Sequence, residues 1–245
     1  MQVFLNRVDG FDDAIISMFL SKRTLTRELE QHIRRVCREN QDMTCANGEV
    51  LGALNNEISI EMNDWLNKLF KWGKHHVTML RFLDLSFTVY GMHRGAQDDL
   101  DSHAKRMDNR IIRASTRLAS FSEGEVSEYY EDKIIPTDVA LAHLGIVTPD
   151  EIEYEGRTYV KGVNGYIVKG MEHLNDVKRG LYMLSIPSNF IFKINGTEFA
   201  HVYKERNAKG TAAPELKVGV ESMADQVEEA TNGFMNRDLL IAIKN

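Results

Sequence analysis

Two stretches of this 245-residue chain alternate as buried strands do, LRFLDLSFTVYG at 80–91 and SNFIFKIN at 188–195, and both lie among stretches of helical periodicity. That interleaving points to an α+β fold in which a mixed or antiparallel sheet packs with long helices. Residues 24–39 put Leu25, Leu29, Ile33 and Val36 on one helical stripe. A second helix is expected from Ser59 to Trp72, burying Ile60, Trp65, Leu66, Leu69 and Phe70 and stopped by Gly73. The first strand is expected to end at Gly91, and residues 95–117 to form a helix and then an irregular segment. HLNDVKRGLYML, at 173–184, reads as a helix that stops before Pro187. Asn195-Gly196 reads as a turn, and two more helices are expected at about 197–206 and 214–230.

The segment from about 119 to 170 carries two competing signals. EYEGRTYV and GYIV, separated by KGVN, suit a hairpin, whereas Thr148-Pro149-Asp150-Glu151 has the grammar of a helix start. The expected organisation is a single domain over 1–245, with about 119–170 as a candidate insertion.

Composition narrows the function without naming it. A net charge of -6 argues against a coat for polymeric nucleic acid or a binder of anionic membranes. No apolar run approaches the roughly 18 residues a membrane-spanning helix needs, and the acidic N-terminal stretch does not read as a secretory signal. Cys37 and Cys45 form no metal or disulfide framework, so free thiols and a cytoplasmic setting are expected. His75, His76, His103, His143, His173 and His201 lack metal-ligand spacing, so no metal is expected. Glycine-rich phosphate loops and a G-x-S-x-G elbow are absent as well.

An anionic ligand would therefore need local arginines. The region from Arg94 to Leu118 crowds acids and bases around His103, Asn109, Ser115 and Arg117, and reads either as a solvated helix face or as an anion site. Arg179 and Arg206 flank the strand FIFKIN, and a fold that joined them would make an anion clamp.

The order of these features resembles the flavin-dependent thymidylate synthases, the ThyX family. LNKLFKWGKHH, LSFTVYG, a stretch ending Ser115-Thr116-Arg117, KRGLYML, a strand ending at Asn195, and EFAHVYKER followed by APELK succeed one another as in that family, over about 55–118 and 172–232. The family signature, Arg-His-Arg then Ser-x-Asn-Glu-x-Ser-x-Arg-Tyr, is eroded. Ser102-His103-Ala104 stands for Arg-His-Arg, Arg110 follows Asn109 in place of glutamate, and Ser115-Thr116-Arg117-Leu118 matches only after two extra residues.

The resemblance implies a ThyX-like homotetramer that transfers a methyl or hydroxymethyl group to dUMP or dCMP, using FAD with NADPH and methylene-tetrahydrofolate. It assigns Ser115, Arg117, Arg179 and Arg206 to the nucleotide, with Arg179 and Arg206 also catalytic. His103, Asn109 and Asn195 would face the flavin. The alternative it leaves open is a catalytically inactive nucleotide-binding paralogue with a regulatory or structural role.

Overall fold

The structure, a computed structural model, describes residues 1–21, 23–39, 64, 77–101, 110–115, 125–162, 164–182, 184–207, 214–231 and 233–242. Apart from Asp64, the helix expected at 59–72 lies outside the described residues, as do His103, Asn109 and Arg117. In chain order the elements are β1 (Gln2–Asp9), α1 (Phe11–Ser21), α2 (Arg27–Glu39), β2 (Asp84–His93), α3 (Arg94–Asp101) and β3 (Arg110–Arg113). These are followed by α4 (Thr137–His143), β4 (Glu151–Tyr154), β5 (Arg157–Lys161), β6 (Tyr166–Val168) and α5 (Asn175–Lys178). The last are β7 (Pro187–Asn195), α6 (Gly196–Asn207), α7 (Pro214–Ala230) and α8 (Arg237–Ala242).

Antiparallel pairing builds one four-stranded sheet in the order β1-β2-β7-β3 and a smaller one in the order β4-β5-β6. The expected α+β architecture is the one observed. One face of the large sheet presents Leu85, Phe87 and Val89 from β2 and Phe190, Phe192 and Ile194 from β7, all buried. Helix α7 covers this region with Leu216, Val220, Met223, Ala224 and Val227, an i, i+3/i+4 stripe that is wholly buried. Phe87 stacks with Phe192 and with Phe199 of α6, at centroid separations of 6.3 and 5.7 Å. Sheet and helices thus share one core.

Two bulges shape this sheet. Between Leu5 and Arg7 the register of β1 slips, and Asn6 is the extra residue. The inward side passes from Val3 and Leu5 to Val8, which hides the strand from a search for simple alternation. In β2 the slip lies between Val89 and Met92. Gly91, at φ +72°, takes the left-handed conformation that an L side chain resists, and its N–H donates to Asn189 Oδ1 at 3.0 Å. Instead of ending the strand, Gly91 bends it and lets it run on to His93.

Three local expectations are corrected. Thr148-Pro149-Asp150-Glu151 starts no helix, because Glu151 already pairs with Val160 and the chain reverses through Glu155-Gly156, both at positive φ. The hairpin across KGVN does form, between β5 and β6. The described residues of 173–184 form the short α5 and a 3-10 turn at Arg179–Leu181. Leu174 and Leu184 of this stretch are exposed and cover no core. Asn195-Gly196 does not turn the chain away but passes directly from β7 into α6.

Candidate functional site

Two clusters of polar contacts lie at the two ends of α3. Its N-terminal end starts where β2 stops. Helix N-termini carry backbone N–H groups without intrahelical partners, and here each of the first three has one. Arg94 N–H donates to Ile186 O at 3.0 Å, Gly95 N–H to Leu184 O at 3.0 Å, and Ala96 N–H to the His93 ring nitrogen Nδ1 at 2.7 Å. His93 therefore acts as the cap residue, with an imidazole nitrogen where serine or aspartate would offer oxygen. An N-terminus so occupied is not an open anion cradle.

His93 is 6% exposed, and its surroundings form a connected network. Its backbone N–H donates to Glu215 Oε2 at 2.9 Å, and Ser127 Oγ donates to Glu215 Oε1 at 3.2 Å. Glu215 itself is wholly buried at the start of α7. Because Nδ1 accepts from Ala96, the neutral ring carries its proton on Nε2, and Nε2 donates to Tyr130 Oη at 2.9 Å. The two rings also stack, with centroids 4.7 Å apart. Burial pushes the His93 imidazole below its usual range, partly opposed by the Glu215 charge. Burial, then the Glu215 and Tyr129 charges, raise the Tyr130 phenol. Tyr130 is therefore a neutral hydroxyl whose lone pair is occupied by the imidazole.

The other end of α3 is a lattice of ion pairs. Arg113, on β3, pairs with Asp98 and, at 2.7 Å, with Asp101, and its guanidinium also donates to Gln97 O at 3.1 Å. Arg206, near the end of α6, is 7% exposed, donates to Asp99 O and stands 3.4 Å from Asp99 Oδ1. Asp99 is the first competitor that any anion must meet at Arg206.

The described residues expected from sequence do not form one cluster: Asn195 pairs with Asp84, at the end of β2 away from α3. Ser115 is exposed two residues beyond β3, next to Ala114, whose carbonyl accepts from the Arg94 guanidinium at 3.4 Å. Arg179 opens the 3-10 turn at Arg179–Leu181. Asn195 is 5% exposed and its Oδ1 accepts the Glu198 N–H at 2.9 Å, which makes it the cap of α6. Arg206 lies 206 − 195 = 11 residues along that helix, about 16 Å at 1.5 Å per residue, so the two are not brought together.

Sequence reading passed over His93, Tyr130 and Glu215. The available signal was a histidine placed immediately before the helical run RGAQDDLD, in the position of a cap.

No family model matches the chain, and no curated protein matches it. Solved structures do. A ThyX thymidylate synthase from Helicobacter pylori, with FAD and dUMP, aligns over 98% of this chain and 99% of its own, at 16% identity and a TM-score of 0.50. A flavin-dependent thymidylate synthase ThyX from Helicobacter pylori, complexed with FAD and dUMP, aligns over 97% and 100%, at 12% identity and a TM-score of 0.50. A UMP/dUMP methylase PolB from Streptomyces cacaoi, bound with 5-Br dUMP, aligns over 95% and 93%, at 11% identity and a TM-score of 0.49. The chain thus has a ThyX-like fold over nearly its whole length. No helix among the described residues is long and apolar enough to cross a membrane.

Proposed function

We propose that this chain binds a pyrimidine deoxynucleoside 5′-monophosphate, dUMP or dCMP, and acts on it as a one-carbon transferase delivering a methyl or hydroxymethyl group. The observation that carries the reading is a fold shared from end to end with the thymidylate synthase structures that hold FAD and dUMP. Arg179, Ser115 and Arg117 would hold the phosphate and base, and Arg206 would join them on release from Asp99. Arg179 and Arg206 would be the catalytic pair, acting by electrostatics on a dianionic ligand and a polarised base. A charge-assisted arginine contact contributes about 1.5–3 kcal/mol, so three near the upper end of that range reach the roughly 8 kcal/mol of micromolar binding.

FAD would supply the hydride, with NADPH and methylene-tetrahydrofolate as co-substrates. Of the residues assigned to the flavin only Asn195 is described, and it does not fit that role. It is buried, and its carboxamide oxygen serves α6. His103 and Asn109 would have to carry the contact. A homotetramer in the cytoplasm completes the reading.

The occupation of Asn195 and Arg206 favours a second reading, a nucleotide-binding paralogue without catalysis. Visible absorbance separates the two. A flavin spectrum that shifts on addition of dUMP supports the transferase. Protein that takes up no FAD yet binds dUMP supports the paralogue, and protein that binds neither removes both.

A further inference from the structure

We infer that His93 is a positioning residue for α3, and that it holds the first turn of that helix only while its Nδ1 is unprotonated, so that acid releases the turn. Two groups compete for this one atom. Ala96 N–H donates to Nδ1 at 2.7 Å, which requires a lone pair there. Glu215 Oε2 lies 3.4 Å from the same nitrogen and can engage it only when it carries a proton. The two states are mutually exclusive.

A proton arriving on Nδ1 turns the cap acceptor into a donor that faces the Ala96 N–H. It also places positive charge at the positive end of the helix, an unfavourable position. The wholly buried Glu215 carboxylate is the partner that accepts the new N–H. The titratable groups against the ring are Glu215 from α7 and Tyr130 from the 3-10 turn at Glu128–Tyr130, while Arg94, the next residue on α3, donates to Ala114 O. Ser127 reaches the ring only through Glu215, and the 184–186 segment contributes main-chain carbonyls. Burial resists protonation, so the capped state is the one held at neutral pH.

What rides on α3 makes the release matter. Asp99 holds Arg206, and Asp98 and Asp101 hold Arg113. Loosening the first turn removes the Ala96 contact while the Arg94 and Gly95 N–H groups stay on Ile186 O and Leu184 O, and it loosens the hold on the carboxylates that fix both arginines. The inference concerns the frame of the site and stands whether or not a nucleotide binds.

The test is ring-nitrogen NMR of the full chain from pH 8 to pH 5, together with hydrogen exchange at the Ala96 amide corrected for intrinsic exchange. His93→Asn supplies a cap that cannot titrate, and His93→Ala removes the cap. The expected result is an unprotonated Nδ1 at pH 8, with Ala96 protection falling at least about five-fold as the ring titrates. Protection should stay level with pH in His93→Asn and be low throughout in His93→Ala. A proton on Nδ1 at pH 8, or unchanged Ala96 protection while the ring protonates, overturns the inference. Both of those readings come from the wild-type chain, so they decide the matter even where a variant fails to fold.

Discussion

Arg206 and Asp99 are paired across the fold, a buried guanidinium near the end of α6 meeting both the carbonyl and the carboxylate of a residue on α3. The pair sets the terms on which Arg206 could serve a ligand. Asp99→Asn removes the competing charge and keeps the carbonyl contact. If Arg206 joins the nucleotide site, the affinity for dUMP should rise by up to about ten-fold, roughly 1.4 kcal/mol. Stability should fall by about 1–3 kcal/mol, since a buried charge loses a partner that is itself one-third exposed. Calorimetry and urea unfolding read the two effects. An unchanged affinity takes Arg206 out of the site.

Glu215 is expected to be a stability residue of the first rank. It accepts from the His93 backbone and from Ser127 while fully buried. Glu215→Ala leaves both donors without an acceptor and opens a cavity, a loss of about 3–5 kcal/mol. Glu215→Gln keeps the shape and one acceptor, and should cost less than half as much. Equal losses in urea titrations of the two variants would mean that the charge and the second acceptor, lost in both, matter and that the packing kept by glutamine does not.

The pH dependence of stability follows from His93. Its folded-state pKa lies below the ordinary value of 6.5, so the unfolded chain takes up this proton first as pH falls. The contribution is complete above about 6.5 and is lost as pH drops from there through the folded value. Wild type should therefore lose more stability between pH 7.5 and 5.5 than His93→Asn does. Parallel losses, measured as urea midpoints, would show that other groups dominate.

Asn195 can be assigned by substitution. As the cap of α6, Asn195→Ala should cost about 0.5–2 kcal/mol, whereas Asn195→Asp keeps an acceptor and should cost little. FAD uptake should be the same in Asn195→Asp as in wild type. Loss of FAD uptake in a variant with intact stability would instead put the carboxamide at the flavin.

How much of this was legible depends on continuity of pattern. The core of β2 and all of β7 could be read because Leu85, Phe87 and Val89, then Phe190, Phe192 and Ile194, alternate without interruption. β1 could not, because the bulge at Asn6 moves the inward side from odd to even positions. The same effect at Gly91 hid the last residues of β2, and with them His93. Residues 173–184 were overread as a helix because periodicity does not show whether anything lies opposite to be covered, and Leu174 and Leu184 are exposed. The site was less legible than the fold. Residue type singled out Arg206 and the family resemblance singled out Asn195, but the local partners that occupy them, Asp99 and the Glu198 N–H, depend on tertiary placement.

The most direct test of the central claim is a calorimetric titration of dUMP into the wild-type chain and into Arg179→Ala. The account predicts wild-type binding on the order of micromolar, weakened about ten-fold or more in the variant by loss of one charge-assisted contact. Absence of binding to the wild type, or the same affinity in both proteins, would contradict it.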